Sequence, residues 1–269
     1  MTTTSPDADS RRGRRCAVIA NPTKISEQFH DVVEKTLQRD GWVDTLWLET
    51  SADDPGRANL LARNLDLPLD QAAAVEVAFG GHTRAIDLIE VKADTRAPEH
   101  FAVMAGIGVD AMTMEETDDQ LKDKIGTGAY FVAAGKALGR LPLKMTVRLD
   151  GRRPVRRHAM ICLIGNVGDL VGNLTLLPQA RYDDGRLDLF IASPHTIRHW
   201  LKLALRLITR RPKKDDQVDQ RTGRTVTVRL DRNESYQLDG DVIGECTTLT
   251  ATVKPGALLV CTPSAEARP

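Results

Sequence analysis

Four short segments hold the residue types that could do chemistry. They are Asn21-Pro22-Thr23-Lys24, Gly106-Ile107-Gly108-Val109-Asp110, Arg181-Tyr182-Asp183-Asp184-Gly185-Arg186-Leu187-Asp188 and Leu238-Asp239-Gly240-Asp241. Carboxylates can accept a proton or face a hard cation, and glycine lets the chain turn tightly around them. Asn21 to Lys24 follows a short apolar run, where a loop at the carboxyl end of a sheet could meet a nucleotide. Residue type alone gives a simpler reading for each: a strand-ending turn at Asn21-Pro22, and ordinary turns at Asp183-Asp184-Gly185 and Asp239-Gly240.

Several reaction classes lack their signatures. The chain contains no Walker A loop, no Gly-x-Gly-x-x-Gly, no His-Glu-x-x-His and no Gly-x-Ser-x-Gly. Gly80-Gly81 reads as the end of a helix.

The elements that would position these segments fall into two halves. Residues 15–20 form a short apolar run with the pattern of a buried strand. Phe29, Val32, Val33 and Leu37 then recur at helical spacing up to Asp40-Gly41, and residues 43–50 read as a second strand. Strand, helix and strand in that order imply a parallel α/β unit. Residues 58–65 and 71–79 both read as helix, so two strands are left as the whole sheet. Parallel sheets normally bury both faces, and on this pattern the first domain reads as truncated.

The second half is β-rich. Alternating runs occupy 84–92, 100–107, 143–149, 155–165, 186–192, 224–230, 247–253 and 257–261, with helical patterns near 115–138 and 195–211. Asp150-Gly151 lies between two runs as a hairpin turn. The expected organisation is a polar tail at 1–13, a truncated α/β domain at 14–83, a β-rich domain at 84–263 and a second tail at 264–269.

Composition narrows the partners. Lysine plus arginine equals aspartate plus glutamate at 37 each, so no bulk field favours nucleic acid or an anionic membrane, and a local patch would be needed. Cys16, Cys162, Cys246 and Cys261 form no Cys-x-x-Cys pair and fit a reducing cytoplasm. No apolar stretch is long enough to span a bilayer. Within 195–211, Arg198, Lys202, Arg206 and Thr209 share one helical face, with Ile197, Trp200, Leu201, Ala204 and Ile208 on another. Such a helix packs its apolar face on the domain, and it could also lie on an anionic bilayer.

In their order along the chain, these segments and Ala58 to Leu65 resemble the diacylglycerol kinase catalytic family, which includes soluble bacterial lipid kinases and sphingosine kinases. The likeness runs from about residue 15 to 263 and is most specific at Pro178-x-Ala180…Asp183-Asp184-Gly185-x-Leu187-Asp188. It implies an α/β nucleotide domain followed by a β-sandwich-like domain, with ATP and Mg²⁺ used to phosphorylate a lipid alcohol such as diacylglycerol. It also implies roles for single residues. Asn21, Pro22, Thr23, Lys24, Thr50 and Asn59 would line the nucleotide site. Asp184, with the main-chain carbonyls of Arg181 and Arg186, would hold a structural Mg²⁺. Asp110 would join an acidic network near the catalytic metal, and Asp241 would stand where the family commonly has a glutamate acting as general base. The expected partners are a lipid alcohol, a membrane surface met through 195–211 and a second copy in a homodimer, and not nucleic acid.

The family's Gly-Gly-Asp-Gly-Thr loop has no counterpart in this chain. Its Gly-Thr-x-Asn motif is matched only at the tail, where Gly56-Arg57-Ala58-Asn59 lacks the threonine. Backbone amides of a glycine loop supply much of a phosphate cradle, so on sequence the γ-phosphate has no evident holder. A non-catalytic lipid- or membrane-binding protein is the alternative expectation.

Overall fold

The structure is a computed structural model. It describes residues 16–20, 25, 28–40, 45–49, 59–68, 70–80, 82–108, 141–168, 176–193, 196, 199 and 218–263. The chain divides into two compact units, one of residues 1–84 with 259–269 and one of residues 85–258.

In the first unit, β1 (Cys16–Ala20) and β2 (Thr45–Glu49) pair in parallel, with Cys16 opposite Thr45 and Ala20 opposite Glu49. Parallel strands need a crossover, which α1 (Phe29–Arg39) provides. Asp31 in its first turn and Arg39 in its last complement the helix dipole. Helix α2 (Asn59–Asn64) precedes α3 (Gln71–Gly80). Val33 and Leu37 of α1 meet Val75 of α3, with Val18, Phe29, Val32, Trp47 and Phe79 packed around them. Arg39 bridges the helices by donating to Glu76 at 3.0 Å. The imidazole of His30 stacks on Trp47 at 3.8 Å, and Trp47 Nε1 donates to Glu34.

The second core lies among mostly antiparallel strands. These are β3 (His82–Ala93), β4 (Glu99–Phe101), β5 (Met104–Ile107), β6 (Leu143–Leu149), β7 (Val155–Ala159), β8 (Ile161–Gly165), β9 (Leu187–Ala192), β10 (Val218–Gly223), β11 (Thr225–Leu238) and β12 (Asp241–Thr262). Their order is β10-β9-β8-β5-β11-β12-β3-β4, with the β6–β7 hairpin added to β11. Strand β11 serves two layers: Val226 to Leu230 pair with β6, whereas Tyr236 to Leu238 pair with β5. The register with β12 shifts between Arg229 and Glu234, where one half gives way to the other. The inward sides enclose one apolar core, including Ile89, Phe101, Ile107, Val147, Leu189, Val228 and Leu249. Strands β8 and β9 are buried on both faces, because Ile161, Leu163 and Phe190 face a second cluster with Leu176 and Leu177. Each such buried side chain contributes roughly 1.5–3 kcal/mol.

The α/β plus all-β class expected from the sequence is what folds. Several of the strand runs differ in detail. The run at 100–107 breaks into β4 and β5, because the amides of Ala102 and Val103 bond to Asp239 instead of to a strand. The run at 155–165 breaks at Met160, where the chain passes from pairing with β6 to pairing with β9. The runs at 247–253 and 257–261 join into the single strand β12. Strand β10 had no apolar pattern: Asp219 and Arg221 make it look like a loop, yet it pairs along its whole length with β9. The helical pattern near 115–138 and the tails at 1–13 and 264–269 lie outside the described residues, as does 195–211 apart from Thr196 and His199.

Candidate functional site

Asp183-Asp184-Gly185 forms a tight turn immediately before β9, with Gly185 at φ +69°. Asp183 pairs with Arg181 at 3.3 Å in the solvent. The exposed Asp184 uses Oδ1 to accept the amide of Arg186 at 2.9 Å, an Asx-type closure of its own loop. Its Oδ2 has no hydrogen bond among the described residues, and the carbonyls of Arg181 and Arg186 accept no main-chain hydrogen bond there. One carboxylate oxygen and two carbonyls are hard donors of the kind a divalent cation takes. No cluster of three His, Cys, Asp or Glu side chains suited to a metal occurs among the described residues, so any cation here would draw on carbonyls and water.

The turn is held from beneath by Asp87 of β3, which is only 2% exposed. Its Oδ2 accepts the amide of Gly185 at 2.7 Å and its Oδ1 the amide of Gly256 at 2.8 Å. Its own amide donates to the carbonyl of Tyr182 at 2.6 Å. Both ends of the Tyr182–Gly185 loop are therefore tied to one buried residue. Close by, Asp188 accepts Thr222 Oγ1 at 2.6 Å. Burial pushes the Asp188 carboxyl above the ordinary range; the bond from Thr222 and the guanidinium of Arg186 oppose this, and the like charge of Asp184 adds to it.

Asp241 begins β12 opposite Leu238, across the two-residue turn Asp239-Gly240. Both turn residues have positive φ, +50° and +103°, as a primed hairpin turn requires. Asp239 is the anchor of this turn. It accepts the amides of Ala102, Val103 and Met104 at 2.9, 2.9 and 2.8 Å, and its own amide returns to the Met104 carbonyl at 2.8 Å. The Asp241 side chain is exposed and makes no hydrogen bond or ion pair among the described residues. Its carboxylate can therefore accept a proton without breaking any of those contacts.

Asn166 connects the two turns. Its Nδ2 donates to the carbonyls of Asp87 and Ala102, both at 2.9 Å, and its amide donates to Val103 O. The path runs from Gly185 to Asp87, Asn166, Ala102 and Asp239, and so from the Asp184 turn to the Asp241 turn. Asn166 is 1% exposed, and its Oδ1 is a buried acceptor with no partner among the described residues.

Of the other expected site residues, Asn21, Pro22, Thr23, Lys24, Thr50 and Asp110 lie outside the described residues. So does the side chain of Asn59, whose backbone starts α2. The neighbouring Gly108 has φ +71°, and a Cβ there would meet Leu143 at 2.8 Å, which accounts for that glycine. Asp87 and Asn166 were not singled out on sequence. The available signal was a carboxylate in the middle of an apolar strand, Ile86-Asp87-Leu88-Ile89.

Residues 103–262 match the family described as the YegS C-terminal NAD kinase beta sandwich-like domain. A protein of Mycobacterium tuberculosis named diacylglycerol kinase is 27% identical over 188 residues, 69% of this chain and 60% of that relative. A protein of Chromohalobacter salexigens named probable lipid kinase YegS-like is 28% identical over 214 residues, 79% of this chain and 66% of the relative. The chain thus spans about three-fifths of the mycobacterial protein's length. A crystal structure described as a diacylglycerol kinase of Bacillus anthracis aligns with a TM-score of 0.63 at 16% identity, covering 93% of this chain and 97% of that one, which establishes the shared fold. The chain belongs to the diacylglycerol kinase and YegS-like lipid kinase family, whose C-terminal NAD kinase beta-sandwich-like domain it carries at residues 103–262.

Proposed function

We propose that the protein is an ATP-dependent lipid kinase that transfers the γ-phosphate to the hydroxyl of diacylglycerol or a related lipid alcohol, on the cytoplasmic side of a membrane. The observation that carries this reading is the hydrogen-bonded path joining the Asp184 turn to the Asp241 turn. In this reaction the lipid oxygen bonds to the γ-phosphorus, the bond to the bridging β–γ oxygen breaks, and ADP leaves. Asp241 accepts the hydroxyl proton, with Asp110 as a second acidic group. Asp184, with the Arg181 and Arg186 carbonyls, would hold Mg²⁺, which would supply positive charge and rigidity to the loop. Asn21 to Lys24, Thr50 and Asn59 would line the nucleotide.

One observation favours a second reading. No Gly-Gly-Asp-Gly-Thr loop is present in the chain, which leaves phosphoryl transfer without its usual cradle of backbone amides. On that reading the protein binds lipid or membrane without catalysis. Phosphate transfer from labelled ATP to a panel of lipid alcohols, by the full chain and by Asp241→Asn, decides between them. Transfer that is lost in the variant establishes the kinase. No transfer and no ATP binding by a folded chain that still adsorbs to lipid establishes the binding protein.

A further inference from the structure

We propose that the exposed face of the sheet formed by β7, β6, β11 and β12 is a docking surface for an anionic lipid bilayer. Alternation along the strands decides which side chains it presents. On β6, Leu143, Met145, Val147 and Leu149 enter the core, so Lys144, Thr146 and Arg148 lie on the other side. On β11, Val226 and Val228 enter the core, which leaves Thr225, Thr227 and Arg229 outward. On β12, Leu249, Ala251 and Val253 go in, and Thr248, Thr250 and Thr252 stay out. Arg156 and His158 are the exposed side chains of β7 on this face.

The registers then set cations and hydroxyls side by side. Lys144 is opposite His158, Thr146 stands between Arg156 and Arg229, and Thr227 lies between Arg148 and Thr250. Lys144, Arg148, Arg156 and Arg229 thus form a two-dimensional array. It extends about 13 Å along β6 and about 10 Å across the strands. None of the four makes an ion pair or a side-chain hydrogen bond among the described residues. The acidic side chains nearby do little to cancel them. Asp231 and Asp150 sit at the rim, two residues beyond Arg229 and Arg148; Asp150 already accepts the amides of Arg224 and Thr225, and Glu90 of β3 lies between Lys92 and Lys254 at 3.9 and 3.3 Å. In a chain of zero formal net charge, this is a local field of one sign.

Charge complementarity selects a polyanion, and shape selects which one. Single-strand binders interleave aromatic rings with their cations, and duplex readers send a helix or ribbon into a groove. The face has no Phe, Tyr or Trp and no helix or ribbon standing out from it: it is a broad surface of arginine, lysine and threonine with one histidine, which suits a plane of phosphate headgroups. The choice of bilayer over nucleic acid rests on the lipid-kinase reading. The binding itself needs no ATP and no turnover, so the two readings can fail separately.

The test is co-sedimentation of the full chain with phosphatidylcholine vesicles, with and without phosphatidylglycerol. The variants are Lys144→Gln, Arg148→Gln, Arg156→Gln and Arg229→Gln combined, and a charge-keeping set with Arg148→Lys, Arg156→Lys and Arg229→Lys. Binding is expected only to the anionic vesicles and to weaken with salt. Each neutralised cation should cost about fivefold, so the four-site variant loses on the order of several hundredfold, while the charge-keeping set stays near wild type. Equal binding to both vesicle types overturns the proposal. Undiminished binding by the four-site variant also overturns it, as does binding abolished by neutralising Arg198, Lys202 and Arg206 alone. Tighter binding to a DNA or RNA duplex than to anionic vesicles at equal phosphate would replace the bilayer with nucleic acid.

Discussion

The amide of Gly185 donates to Oδ2 of Asp87 at 2.7 Å, across 98 positions of sequence. That one bond makes a buried carboxylate of β3 the support of the exposed Asp184 loop, so the loop's shape depends on a residue that no ligand would touch. Gly185 also needs its positive φ of +69°, which a side chain would strain.

Asp87→Asn should therefore loosen the loop without altering any candidate ligand. The amide group can accept only one of the two bonds now made from Gly185 and Gly256, and its NH₂ would face the other N–H. One buried donor left unpaired costs about 1–3 kcal/mol. Denaturant unfolding checks this, and Mg²⁺ titration followed at the loop should show weaker binding in the variant than in wild type. Unchanged stability would mean that Asp87 does not hold the turn.

Only Gly240 separates Asp239 from Asp241, yet the two should fail in different ways. Asp239 accepts three amides from Ala102 to Met104, so Asp239→Ala should destabilise the protein by about 2–4 kcal/mol. Asp241 is exposed with no partner among the described residues, so Asp241→Asn should leave stability within about 0.5 kcal/mol of wild type. If the chain is a kinase, that same variant should lose about 10²- to 10⁴-fold in transfer rate. Thermal unfolding beside an activity assay separates the two effects. Equal destabilisation by both variants would assign Asp241 a structural role.

This division shows what the sequence made legible. The Asp-Asp-Gly and Leu-Asp-Gly-Asp segments were visible because turn chemistry is local: glycine and aspartate at fixed offsets have few other conformations to adopt. The same holds for Leu143 to Leu149, whose strict alternation predicted β6 to the residue. Asp87, Asn166 and the anchoring role of Asp239 were not legible, because their partners lie far away in sequence. A buried polar residue is identified by what it bonds to, and 64 positions separate Asn166 from Ala102. Strand β10 was missed for the opposite reason. Its polar side chains pair with each other and with Arg157, so it shows none of the apolar pattern by which a strand is recognised.

Asp219 on β10 should give the fold a measurable acid sensitivity. Burial pushes its carboxyl up, but the bonds from Arg221 at 2.9 Å and Arg157 at 2.8 Å prevail and hold it below the ordinary range. A depressed carboxyl contributes stability above its unfolded pKa and loses it as pH falls through the folded one. Asp219→Asn should thus be destabilising near neutrality, by up to about 1 kcal/mol because the group is partly exposed. Below the folded pKa the stability curves of variant and wild type should converge. Melting curves recorded from neutral to acidic pH check this, and a constant offset at all pH values would exclude the ion pairs as its cause.

The two units should also differ in stability. The N-terminal core is small: Val33, Leu37 and Val75 are buried, with five partly covered neighbours around them. Its described sheet has two parallel strands, and Leu46 on β2 is 57% exposed. The β-rich core buries far more apolar surface, from Ile89 to Val253, and ties it with antiparallel ladders. Cooperative units with few buried contacts open at lower free energy. Amide exchange should therefore be faster in α1 and β2 than in β8, β9 and β11. Limited proteolysis should cut first on the N-terminal side of β3 and leave a fragment containing the β-rich core. Uniform protection across both units, with a single cooperative transition, would show instead that the N-terminal unit draws its stability from elsewhere in the molecule.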